Sequence, residues 1–136
     1  MTYPISDISS LGADAADRLK SAGIRTTARL LDAAKSPKER KRLAEKTGLD
    51  EKRILSWANT ADRMRIKGVG SDYADLLQAA GVDTVKELMY RNPARLAQAM
   101  AAANNKRKLA RVLPSDRAVE RWIEQARRIP LKITYR

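Results

Sequence analysis

Cysteine, histidine and phenylalanine are all missing from this 136-residue chain. Without cysteine there is no disulfide, no thiol nucleophile and no thiolate for zinc; without histidine there is no imidazole for acid–base work near neutral pH. Aromatic residues are scarce, two Trp and four Tyr, so a core must be built from Ala, Leu, Ile and Val. That supply suits short, closely packed helices better than a β-sandwich. No apolar run approaches the roughly 18 residues needed to cross a bilayer. The opening Met1-Thr2-Tyr3-Pro4-Ile5-Ser6-Asp7 lacks the basic-then-apolar layout of a signal peptide. The expectation is a cytoplasmic protein with no membrane partner. Asp and Glu fall singly at helix caps and on helix faces, and no Gly-Lys-Ser/Thr phosphate loop accompanies them, so the chain reads as a non-enzyme.

What is abundant is positive charge. Lys and Arg number 28 against 16 Asp and Glu, a formal +12 at pH 7. The excess is shared, with 14 basic and 9 acidic residues in 1–65 and 14 and 7 in 66–136, so no detachable tail explains it. A uniformly basic small protein suits a polyanionic partner, which it binds with release of phosphate counterions. A well-solvated surface would give the same numbers.

The chain also says nearly the same thing twice. Ile8, Gly12, Asp14, Ala16, Asp17, Leu19, Ala22, Gly23, Thr26 and Leu30 recur unchanged after a constant shift of 58 residues, as Ile66, Gly70, Asp72, Ala74, Asp75, Leu77, Ala80, Gly81, Thr84 and Leu88. A repeat fixes architecture before any single residue does. The expected fold is all-α, with two pseudo-repeated four-helix units over 1–65 and 66–136 closing into one pseudo-twofold domain.

Local signals place eight helices. The first spans Asp14–Ala22 and the second Thr26–Ala34. Ser36-Pro37 opens the third with Glu39 completing a capping box, and Gly48 lies past its end. The fourth runs from Asp50 to about Arg63 with an apolar stripe at Ile54, Leu55, Ala58, Ala61 and Met64. In the second copy, helix five covers Ser71–Ala80. Thr84 with Glu87, Asn92-Pro93 and Ser115 open helices six, seven and eight. Leu131–Tyr135 alternates apolar and polar residues and is compatible with a short strand, paired at an edge with Tyr3-Pro4-Ile5. Helix eight has no following copy to lead. It is expected beside the first turn, Ile8–Gly12, of its own chain or of a second copy.

Ile66-Lys67-Gly68-Val69-Gly70, followed by Ala74 and Leu77, resembles the helix-hairpin-helix motif. The resemblance implies that the glycines admit a phosphate close to the backbone and that the next helix aims its free N–H groups at it. Binding would go to the sugar–phosphate backbone, without sequence readout. By the resemblance, the backbone amides near Gly68, Gly70, Asp72 and Tyr73 would hold the phosphate; Val69 and Ser71 belong to the same candidate site, and the flanking Arg65 and Lys67 would join it. No cofactor is expected beyond a monovalent cation on the carbonyls of the 66–70 turn. The first copy, Ser10-Leu11-Gly12, lacks the first glycine. The double arrangement also resembles, over nearly the whole chain, an uncharacterised bacterial domain-of-unknown-function family. Asp72 departs from the motif, because a carboxylate there opposes a phosphate.

Basic clusters supply a second surface. Lys38, Arg40, Lys41, Arg42 and Lys46 lie on helix three; Lys106, Arg107, Lys108 and Arg111 hold the matching place in copy two; Arg117, Arg121 and Arg128 share a face of helix eight. Trp57 and Trp122, at matching positions beside Ala and Ile, read as core or interface anchors, which leaves little support for single-strand stacking. Two functions follow. One is sequence-nonspecific binding of duplex DNA through the turn and the basic helices. The other is a protein-interaction or self-assembly module that uses the same hairpins for packing.

Overall fold

The computed structural model describes residues 2–136; Met1, the first residue of the expected first repeat, lies outside them. The described residues are all-α, with eight helices and a 3-10 turn at Ile5–Asp7. The helices are α1 (Gly12–Ser21), α2 (Thr27–Ala33), α3 (Pro37–Thr47), α4 (Glu51–Arg63), α5 (Ser71–Ala79), α6 (Val85–Leu88), α7 (Pro93–Arg107) and α8 (Asp116–Arg128).

Most helices start where their caps dictate. The side chains of Thr26, Ser36, Thr84, Asn92 and Ser115 each accept a hydrogen bond from the backbone N–H three residues on. Each such cap stabilises its helix by about 1 kcal/mol. At α3 the Glu39 carboxylate accepts from the Ser36 hydroxyl at 3.2 Å, side chain to side chain, in place of the backbone N–H of a full capping box. At α6 the carboxylate reaches one residue further, to the Asp83 N–H at 2.9 Å.

The chain divides into two compact units. The first holds the described residues up to Arg65 together with Lys132–Arg136. In it α4 lies against α2 and α3, and the core includes Ile5, Ile8, Leu19, Leu30 and Ile54. Trp57 is buried, with the Arg53 guanidinium 4.9 Å from its ring centre. The second unit is Ile66–Leu131. There α8 lies against α6 and α7, and α5 against α7. Ile66, Val69, Leu77, Val85, Leu88 and Val119 are fully buried. Aliphatic side chains thus do the work that Phe does elsewhere.

The expected strand at 131–135 is absent. The described tail is irregular, and among the described residues the N-terminal segment has only an isolated bridge, between Pro4 and Thr26. The tail docks elsewhere in the first unit: the Thr134 N–H donates to Lys35 O at 2.7 Å and the Tyr135 hydroxyl to Asn59 Oδ1 at 2.8 Å. The physical reason is a buried cation. Arg40 donates to Thr134 O at 2.8 Å and to Ala34 O at 2.9 Å, and its guanidinium stands 5.9 Å from the Tyr135 ring centre. A buried guanidinium needs such acceptors, and the tail supplies one.

Candidate functional site

The turn before α5 is built by two glycines with different duties. Gly68 has φ +93, the left-handed region that side chains disfavour. It also faces Trp122, because a Cβ there would sit 3.2 Å from the indole Nε1. Gly70 is the N-cap of α5 at φ −91 and ψ −163, a conformation open to any residue, and a Cβ on it would meet nothing within 4 Å. Neither space nor backbone requires a glycine at 70.

Gly70 brings no side chain to cap α5. The first three amides, those of Ser71, Asp72 and Tyr73, precede any intrahelical acceptor. They open on a groove of about 460 Å³ lined by Gly68, Gly70, Ser71, Asp72, Tyr73, Ala110, Arg111 and Val112. Its far wall belongs to the α7–α8 loop, which is held tightly. Lys108 ends α7 in a left-handed conformation at φ 49. The Asn104 side chain grips Ala110 twice, accepting from its N–H at 2.9 Å and donating to its carbonyl at 3.0 Å. The Tyr73 hydroxyl donates to Val112 O at 2.9 Å, and its ring lies 5.3 Å from that of Trp122.

The groove is electrostatically mixed. Arg111 and the nearby exposed Lys67 favour an anion, and the helix N-terminus adds its positive end. The Asp72 carboxylate, also exposed, opposes one.

The residues singled out from the sequence divide clearly. Gly68, Gly70, Ser71 and Arg111 line the groove together. Tyr73 lines it too, but its hydroxyl is committed to Val112. Val69 is buried and its N–H closes the turn on Ile66 O at 3.0 Å, so it offers no amide to a ligand. The Lys67 N–H is likewise taken, by Gln125 Oε1 of α8 at 2.8 Å, while its side chain is exposed. Arg65 is largely enclosed, 12% exposed, and paired with Asp62 at 2.8 Å, which removes it as a surface cation.

On α3, Lys38, Lys41 and Arg42 are exposed, but Arg40 is buried and consumed by the tail. Burial lowers the Arg40 pKa, opposed by Tyr135, Glu51 and Glu39. The matched cluster is not a helical counterpart. Lys106 and Arg107 close α7, Lys108 is its left-handed cap, and Arg111 lies in the loop beyond. Arg117, Arg121 and Arg128 are exposed on α8. Both Trp residues are buried, 2% and 4% exposed, so neither is a platform for bases.

Sequence reasoning missed the α7–α8 loop as a wall of the site. The Ser115 cap marked its end, but nothing in the sequence announced the Asn104 clamp. It also missed a cavity of about 420 Å³ in the first unit, lined by Arg29, Arg42 and Lys46, by Asp32 and Glu39, and by apolar residues that include Ile24 and Leu43.

The family model described as Domain of unknown function (DUF4332) matches residues 9–129. The chain belongs to that family. No curated protein and no solved structure matches it. Among the described residues, no helix is long and apolar enough to cross a membrane.

Proposed function

We propose that this member of the family is a non-enzymatic module that binds duplex nucleic acid, DNA foremost, through the sugar–phosphate backbone and without reading sequence. One observation carries this reading. The N-terminus of α5 is uncapped, and it opens on a groove across which Arg111 stands. Amides without acceptors, the positive end of a helix and an exposed guanidinium together suit a phosphate. In these terms Ile66–Gly70 acts as a helix-hairpin-helix grip. Gly68 sets the turn, and Gly70 keeps the approach free of side chain. The basic residues Lys106, Arg107 and Lys108 extend the favourable field along the backbone, and the net +12 supports it at long range. A monovalent cation on the turn carbonyls belongs to the same proposal. Ile66 O already accepts the Val69 N–H but keeps a second lone pair for an ion. A cytoplasmic setting is part of this proposal as well.

A specific observation also favours the second reading, a packing or assembly module. Gly68 is accounted for by its left-handed backbone and by Trp122 without any ligand, and Asp72 disfavours an anion.

Anisotropy with a labelled random-sequence duplex, at low and near-physiological salt, separates the two. Binding with a Kd on the order of 10⁻⁴–10⁻⁶ M that weakens steeply with salt is expected. Replacing Arg107, Lys108 and Arg111 together by Ala should reduce the slope of log K against log salt by up to about 2.7, roughly 0.9 for each phosphate no longer neutralised. No binding at low salt would overturn the proposal and leave the turn as a packing device, to be pursued by sedimentation for self-association.

A further inference from the structure

The loop that walls the groove presents two aliphatic side chains to solvent. Val112 is 71% exposed and Leu113 45%; the other exposed large aliphatic of this unit, Leu131 at 53%, stands alone at its end. Exposed neighbouring aliphatics on a flexible loop would mean little. This loop is fixed at three points: the Asn104 clamp on Ala110, the Tyr73 hydroxyl on Val112 O, and the Ser115 cap that opens α8 just beyond Pro114. An apolar pair is therefore held out in a defined place. Its surroundings say what it meets. Lys106, Arg107, Lys108 and Arg111, all exposed, precede it within a few residues, and the uncapped end of α5 lies across the groove. An apolar protein partner would not call for that run of cations, whereas a nucleic acid offers phosphates around an apolar stack of bases.

We infer that Val112 and Leu113 form a wedge that enters the base stack once the neighbouring cations and the turn hold the backbone. Architectural proteins insert aliphatic side chains between base steps in this way, at the expense of local stacking. Where a base pair is already mismatched, part of that unstacking has been done. The chain should therefore favour duplex sites with weakened stacking, a structural preference without sequence readout. This inference rests on the nucleic-acid reading above and adds the kind of site preferred.

The experiment compares a short intact duplex with the same duplex carrying one central mismatched pair, each labelled away from the centre. Wild type should bind the mismatched duplex tighter by about tenfold. Val112→Ser combined with Leu113→Ser should bind the two duplexes equally. Both side chains are largely exposed, so thermal unfolding should not move, and a matched melt is required of the variant. Equal binding of both duplexes by wild type, or a preference that survives in the double variant, would overturn the wedge while leaving backbone binding in place. Failure to bind either duplex would overturn both readings. Capture of wild type but not the double variant by anionic vesicles, with no duplex preference, would reassign the pair to a lipid surface and overturn the wedge.

Discussion

Gly68 and Gly70 are one residue apart and look interchangeable in the sequence, yet alanine at the two positions should behave differently. At Gly68, with φ +93, alanine must adopt a left-handed backbone, at a cost of about 1–2 kcal/mol. Its Cβ would also press on the Trp122 Nε1 from 3.2 Å. That indole cannot easily yield, because it is buried and the Tyr73 ring lies against it at 5.3 Å. Crowding therefore adds to the strain, and Gly68→Ala should destabilise by about 2 kcal/mol. At Gly70 the two effects oppose each other. Alanine restricts the unfolded chain and gains about 0.4–1 kcal/mol. It is also a poorer N-cap than glycine, by an amount close to 0.5–1 kcal/mol. The net change should lie within about 0.5 kcal/mol of zero. Urea unfolding followed by tryptophan fluorescence measures both, and Trp122 sits at the substituted turn. Equal destabilisation by the two variants would refute the assignment of steric work to Gly68 alone. Given a stable Gly70→Ala protein, its duplex affinity then tests close backbone approach with no folding defect to confuse it.

Two further outcomes follow from charges placed by the fold. Asp72→Asn removes a carboxylate from the groove, and at about 6 Å from a phosphate in a water-like medium this should strengthen duplex binding roughly threefold; anisotropy at low salt reads it, and weaker binding would remove the phosphate from the α5 N-terminus. Arg40→Lys cannot hold both the Ala34 and Thr134 carbonyls, so it should cost about 1.5–3 kcal/mol in urea unfolding while leaving duplex affinity unchanged; lost binding at unchanged stability would return Arg40 to the surface.

Legibility followed the range of the interaction. The caps at Ser36, Thr84, Asn92 and Ser115 are written within three residues of what they bind, and each lies where the sequence puts it, while Thr26, read as the first residue of its helix, is the cap one residue before it. The extent of α6 was harder to read, since a capping box starts a helix and does not say that it ends after Leu88. Contacts remote in sequence were invisible. Arg40 meets Thr134 across 94 residues, and no local pattern distinguishes it from the exposed Lys41 beside it. The same holds for the tail, whose alternation suggested a strand; Arg65 was missed for a different reason, since its partner Asp62 is only three residues back but a charge pair leaves no pattern that says which member turns inward. Alternation records which side chains face a surface; here one such residue, Tyr135, meets Arg40 and Asn59 with no strand alongside.

The two turns also show how far a repeat in sequence can be carried into chemistry. Gly12 and Gly70 correspond under the 58-residue shift, yet Gly12 has φ +80 and Gly70 φ −91. The cause lies two residues earlier. In the second turn Gly68 takes the left-handed conformation, which releases Gly70 to an ordinary backbone. In the first turn that position is Ser10, which stays out of the left-handed region, and the reversal falls on Gly12 itself. A glycine that must supply the turn is held by folding alone. A glycine that neither conformation nor packing demands, as at position 70, needs another reason to lack a side chain, and close approach of a ligand to the backbone is such a reason. The phosphate proposal therefore attaches to the second turn, and identity between Gly12 and Gly70 carries no function from one to the other.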